Sequence, residues 1–210
     1  MDNFEECGRH ADSYDRSEFI TDLAQEIVLE VLSREMAPKL SKTRCSFVPG
    51  TKVLMADGTC KPIEELQAGD TVLAADPEIG EKGARAVTAV MMHQDTVIDL
   101  VMEEGSAVTT TEDHPFWNET DRAWQRADQL DTGGSLLTAA GDNVRVSGLR
   151  AGSEHVTAAY NLTVNDLRTY YVAYGDNTVL VHNTCPEDGT AASSPDPKVR
   201  SAAESPISAR

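Results

Sequence analysis

From Lys52 to His182 the chain falls into short runs rich in Val, Thr, Leu and Tyr, each closed by a turn signal. β-Branched and aromatic side chains suit a pleated, half-buried surface, and Gly, Pro, Asn and Asp supply the reversals. That rhythm confines the segment to an all-β fold. Lys52-Val53-Leu54-Met55 leads into Asp57-Gly58, a dipeptide that favours a tight hairpin. Strands are expected at 69–74 and 86–90, then at 97–101 paired with 107–110. Late strands are expected at 136–138, 144–146, 159–164, 169–172 and 178–181, the last running into His182. Residues 62–66 and 123–130 each suit a single helical turn.

The flanks read differently. In residues 1–44, Phe19, Leu23, Ile27 and Val31 fall at helical spacing, with Ser17 as an N-cap and Pro38 as the stop. An amphipathic helix with a docking face is expected there. Residues 184–210 are rich in Ala, Ser and Pro with few large apolar side chains, and disorder is expected. The chain thus divides into a flank at 1–44, a β-rich unit at 45–183 and a tail at 184–210.

Charge excludes some function classes. The net charge is −17, from 35 acidic against 18 basic residues. Of this, about −12 lies within 45–183. Nucleic-acid binding needs Lys and Arg against phosphate, so it is not expected. No segment is apolar enough to span a bilayer. The acidic start Met1-Asp2-Asn3-Phe4-Glu5-Glu6 is no signal peptide, which predicts a cytoplasmic product. A monomer is expected. Cys7, Cys45, Cys60 and Cys185 do not form a compact disulfide framework. Cys60 reads as a half-buried thiol, and His93 as a strand residue.

Two ends and one turn carry chemistry. Cys45 opens the β-rich unit, in Cys45-Ser46-Phe47-Val48-Pro49-Gly50-Thr51. Its thiolate can attack the carbonyl of Arg44 through a five-membered ring, which exchanges an amide for a thioester. Such an exchange is uphill and needs a partner to polarise the bond and protonate the departing nitrogen. Thr111-Glu112-Asp113-His114 can supply a hydroxyl and an imidazole for that task. His182-Asn183 closes the unit. The Asn183 side-chain amide can attack its own carbonyl, form a succinimide and release the amine of Thr184, with His182 as proton shuttle. Singly, each motif has an ordinary structural reading. Together, at the two ends of one β-rich unit, they suit cleavage of the chain's own backbone.

These residues, in this order, resemble the Hint domain shared by inteins and hedgehog autoprocessing domains. The closest likeness is to the bacterial intein-like type found in polymorphic toxins. The resemblance rests on 45–58, on 62–74, on 111–117, on 160–164 and on 169–172 leading into Val179-Leu180-Val181-His182-Asn183. It implies a horseshoe-like β fold with both ends at its centre. It implies Cys45 as nucleophile, Thr111 and His114 as activators, His182 as helper, Asn183 as cyclising residue and Thr184 as acceptor. It also implies no cofactor or metal, action on the chain's own flanking polypeptide, and carriage within a larger secreted toxin. Two positions depart from splicing inteins, which often have Asp at Asn161 and His at Arg168. These departures favour cleavage without ligation.

Three other readings compete. A degenerate Hint scaffold could serve as a binding or structural module. Cys7-x-x-His10 and His182-x-x-Cys185 have zinc-ligand spacing. Transfer to a sterol is disfavoured by the His-Asn end.

Overall fold

The computed structural model describes residues 45–184. The expected helix at 1–44 and the tail beyond Thr184 lie outside the described residues, as do Cys7, His10 and Cys185.

Twelve strands account for most of the described chain. β1 (Lys52–Leu54) and β2 (Cys60–Pro62) form the hairpin foreseen at Asp57-Gly58. Gly58 takes a φ of 88°, which an L side chain resists. The Asp57 carboxylate accepts the backbone N–H of Thr59 at 3.0 Å and its hydroxyl at 2.7 Å, closing the turn. The expected helical turn after Pro62 is a 3-10 turn at Ile63–Glu65. Glu64 from that turn accepts the Gly50 N–H with both carboxylate oxygens, at 2.9 and 2.8 Å.

β3 (Thr71–Asp76) pairs with the first part of β4 (Glu81–Met102). Here the sequence reading needs correction. Residues 86–90 and 97–101 are not separate strands but parts of one 22-residue strand. The intervening Met91-Met92-His93-Gln94-Asp95 lacks the apolar alternation that marks a strand. It is held extended instead by antiparallel pairing with β10 (His155–Val164), in the register Met91↔Asn161, His93↔Ala159 and Asp95↔Thr157. The expected partnership of 97–101 with 107–110 is present, as β4 against β5 (Ala107–Thr110).

β6 (Pro115–Asn118) pairs with β7 (Ala123–Arg126) and with β8 (Ser135–Leu137), which pairs in turn with β9 (Asn143–Leu149). The single helical turn expected at 123–130 is therefore mostly strand, with a 3-10 turn only at Ala127–Gln129. β11 (Thr169–Tyr174) and β12 (Asn177–His182) make the final hairpin, which is flanked by β1 and β6. The main core packs Phe47, Leu100, Phe116, Leu136, Tyr170 and Val181. A second cluster places Trp117, Trp124, Tyr171 and Leu180 on the other side of β6, β11 and β12. Alternation along these strands sends successive side chains to the two clusters.

Candidate functional site

Strand β10 brings the two ends of the unit together. Phe47, two residues after Cys45, exchanges both backbone hydrogen bonds with Tyr160, at 2.9 and 2.8 Å. The next residue of β10, Asn161, donates from its side-chain Nδ2 to the carbonyl oxygen of Asn183 at 3.3 Å. Neighbouring residues of one strand therefore hold the start and the end of the unit.

At the downstream end, β12 leaves the sheet at His182. The Asn183 N–H donates to the Arg168 carbonyl at 2.8 Å, and Arg168 itself sits at a φ of 56°. The N–H of Thr184 donates to His182 Nδ1 at 3.0 Å. The same Nδ1 lies 3.3 Å from the Thr184 carbonyl oxygen. Bare, it accepts from the amide; protonated, it can donate to the carbonyl. The Thr184 hydroxyl donates to Asn183 Oδ1 at 3.3 Å and orients that carboxamide. The Asn183–Thr184 bond thus has an imidazole on its nitrogen and a carboxamide donor on its oxygen.

The donor is itself oriented. Asn161 Oδ1 accepts the Leu162 N–H at 2.8 Å and the Tyr170 hydroxyl at 3.4 Å, which leaves Nδ2 for Asn183. Burial raises the Tyr170 phenol far above its ordinary pKa, so it keeps its proton. Asn161 entered the sequence reading within the 160–164 stretch that carries the resemblance, and as a departure from splicing inteins. Nothing in its sequence neighbourhood signals contact with a residue on another strand.

At the upstream end, Cys45 is fully buried, with Sγ 3.7 Å from the Asp113 carbonyl oxygen. It is disulfide-bonded, and so is Cys60. The expectation that Cys60 is a thiol is corrected, and Cys45 presents no nucleophilic thiol until it is reduced. Thr111 grips the next residue. Its Oγ1 accepts the Ser46 N–H at 3.2 Å and its own N–H donates to the Ser46 carbonyl at 3.0 Å.

His114 precedes β6 directly, and β6 meets β12 through Phe116↔Val181, so His114 and His182 approach one another. The His114 ring is fully buried, 4.1 Å centroid to centroid from Phe47, and neither ring nitrogen has a hydrogen-bond partner. Burial drives its pKa well below the ordinary imidazole value, and His182 adds to the shift. His182 packs against Trp124 at 5.0 Å. Burial lowers it to about 4, partly offset by its contact with Thr184, while Arg168 pushes further down. Both rings are neutral at pH 7. A buried imidazole with neither nitrogen satisfied is costly to the fold, which marks His114 as a candidate for a role beyond packing.

A cavity of about 450 Å³ opens beside this end. Thr111 and Asp113 belong to its wall, with Asp95, Glu112, Glu154 and Arg126. Arg126 is paired to Asp128 at 2.8 Å. Among the described residues, no group of three or more His, Cys, Asp or Glu side chains could hold a metal ion. No helix of the described residues is long and apolar enough to cross a membrane.

The chain has no match among curated proteins. Solved structures are more informative. It is similar to the bacterial intein-like domain of Clostridium thermocellum, with 34% identity over 66% of this chain and 98% of that one, at a TM-score of 0.58. It shares its fold with the Ssp DnaB mini-intein variant M86, at 19% identity, covering 71% of this chain and 99% of that one, with a TM-score of 0.55. It also shares it with a DnaB intein from Synechocystis sp. PCC 6803, at 19% identity, covering 67% and 99%, with a TM-score of 0.54. The family model of the pretoxin HINT domain matches residues 52–184. With that match across more than half of its length and a Hint-type β fold beneath it, the chain belongs to the pretoxin HINT domain family, the intein-like branch of autoprocessing domains.

Proposed function

We propose that residues 45–183 act on their own flanking polypeptide, cutting the backbone after Asn183 by asparagine cyclisation. The observation that carries this reading is the pair of contacts on the Asn183–Thr184 bond: His182 Nδ1 at 3.0 Å from the Thr184 nitrogen and Asn161 Nδ2 at 3.3 Å from the Asn183 oxygen. Asn183 Nδ2 attacks the Asn183 carbonyl carbon, and Asn161 stabilises the negative charge that grows on the oxygen. One Nδ2 proton passes through His182 to the Thr184 nitrogen, the C–N bond breaks, and the products are a succinimide at Asn183 and a free amine at Thr184.

The upstream half needs a reduced Cys45. Its S–H proton passes to His114 as sulfur attacks the Arg44 carbonyl, and then to the Cys45 nitrogen as the amide bond breaks. The product is a thioester. The low basicity of the buried His114 ring suits it to release the proton again. Thr111 holds Ser46 and so fixes the nucleophile's own backbone. Thr184 could accept the acyl group in a splicing reaction. The disulfide at Cys45 and the residues Asn161 and Arg168 favour cleavage without ligation. In a pretoxin setting, the cut would free an effector fused downstream of the tail. Residues 1–44 and 184–210 are then flanks of the processing unit.

The test is the intact mass of the protein carrying a folded reporter after Arg210, beside Cys45→Ala and Asn183→Ala variants. Release of the reporter piece with Thr184 as its first residue, abolished by Asn183→Ala alone, is the expected result. Full-length mass in every variant after reduction would leave the fold as a binding scaffold.

A further inference from the structure

His93 stands outside the motifs that mark the site, yet its ring meets the residue that follows the nucleophile. Its Nε2 lies 3.3 Å from the Ser46 hydroxyl oxygen and 3.2 Å from Asp95 Oδ2. Ser46 is fully buried, and the His93 side chain is 11% exposed. The Thr96 N–H donates to Asp95 Oδ1 at 2.7 Å, which fixes the carboxylate and turns Oδ2 toward the ring.

One nitrogen facing both groups settles where the proton sits. An ionised carboxylate only accepts, so a bare Nε2 opposite Oδ2 would set lone pair against lone pair. The proton therefore resides on Nε2, which donates to Asp95 and Ser46 together. This is not the arrangement of a hydrolytic Ser-His-Asp relay, in which the two ring nitrogens divide the partners. Ser46 Oγ is an acceptor here and is not activated as a nucleophile.

What the ring achieves is positional. The Ser46 carbonyl accepts from the Thr111 N–H and from the Thr110 hydroxyl, each at 3.0 Å, and its N–H donates to Thr111 Oγ1. Those bonds all come from the β5 side. His93, on β4, grips the side chain and closes the last freedom of the residue. We propose that His93, with its tautomer set by Asp95, is a positioning residue for the acyl shift, holding Ser46 so that the Cys45 sulfur meets the scissile carbonyl in one geometry. This rests on the autoprocessing reading above.

The experiment compares the parent, His93→Ala, His93→Gln and Ser46→Ala after full reduction. Cleavage before Cys45 is followed with excess added thiol, and cleavage after Asn183 in the same samples. Loss of a hydrogen bond to a buried hydroxyl is expected to slow upstream cleavage in His93→Ala about tenfold. Downstream cleavage should change less than about twofold. His93→Gln, whose amide also donates, should recover most of the rate. Equal slowing at both bonds, or no advantage of Gln over Ala, would overturn the proposal. Nitrogen-15 spectra of the histidine rings give a readout independent of activity. A protonated Nε2 whose resonance moves in Ser46→Ala supports the contact, and a bare Nε2 or an unmoved resonance refutes it. If the parent cuts neither bond, the autoprocessing reading fails, and the ring spectra still decide whether His93 holds Ser46.

Discussion

Asn161 Nδ2, on β10, and the carbonyl oxygen of Asn183, just past the end of β12, face each other across 3.3 Å. The contact gives a carboxamide a task that a carboxylate could not perform while ionised, because a carboxylate has no proton to donate. Asn161→Ala is expected to slow Asn183 cleavage by about tenfold to a hundredfold, the range for a lost donor at a developing oxyanion. Asn161→Asp should slow it further at pH 7 and recover in part as pH falls. Timed release of a C-terminal reporter measures both.

His182 meets the same bond from the nitrogen side, with Nδ1 accepting the Thr184 N–H. His182→Ala should lower the release rate by about a hundredfold, within the usual contribution of a positioned proton carrier. Trp124→Phe keeps an aromatic face against the ring and should cost far less, as read from the same release assay.

Both buried histidines make stability depend on acid. Their folded-state pKa values lie below the unfolded value of 6.5, His182 at about 4. In that window the unfolded chain binds more protons than the folded one, so stability is full above pH 6.5 and falls as pH drops toward 4. His182 alone accounts for about 3 kcal/mol at the lower end. Denaturant midpoints between pH 7.5 and 4.5 should fall steadily in the parent and less steeply in His182→Gln.

The disulfide at Cys45 predicts two reactions with different redox demands. Without reductant, no thioester can form, and added hydroxylamine should release no N-terminal piece. After reduction the piece should appear, and Cys45→Ala should lack it under both conditions. Mass spectrometry of paired samples checks this.

Much of the fold was legible because alternation and turns are local properties. The Asp57-Gly58 hairpin and the β12 strand ending at His182 follow from neighbours in sequence. The middle of β4 was not legible, since residues 91–95 are extended by their partner β10 and not by their own pattern. At the site, Cys45, Thr111, His114, His182 and Asn183 stood out as reactive types at telling places. His93 did not, and the contact of Asn161 with Asn183 was hidden, because both depend on residues that the folded sheet sets beside them. The disulfide state of Cys45 was equally invisible, since spacing alone carries no information on which sulfurs meet.

The pairing of β10 with β4 also imposes a schedule on the molecule's birth. Asn161 and β12 are translated before the Asn183–Thr184 bond, so on the proposed reading that bond awaits folding and not synthesis: Asn161 laid against Met91, and β12 joined to β6. If the proposed reading holds, a chain whose sheet has not yet assembled keeps that bond whole, and cutting follows folding.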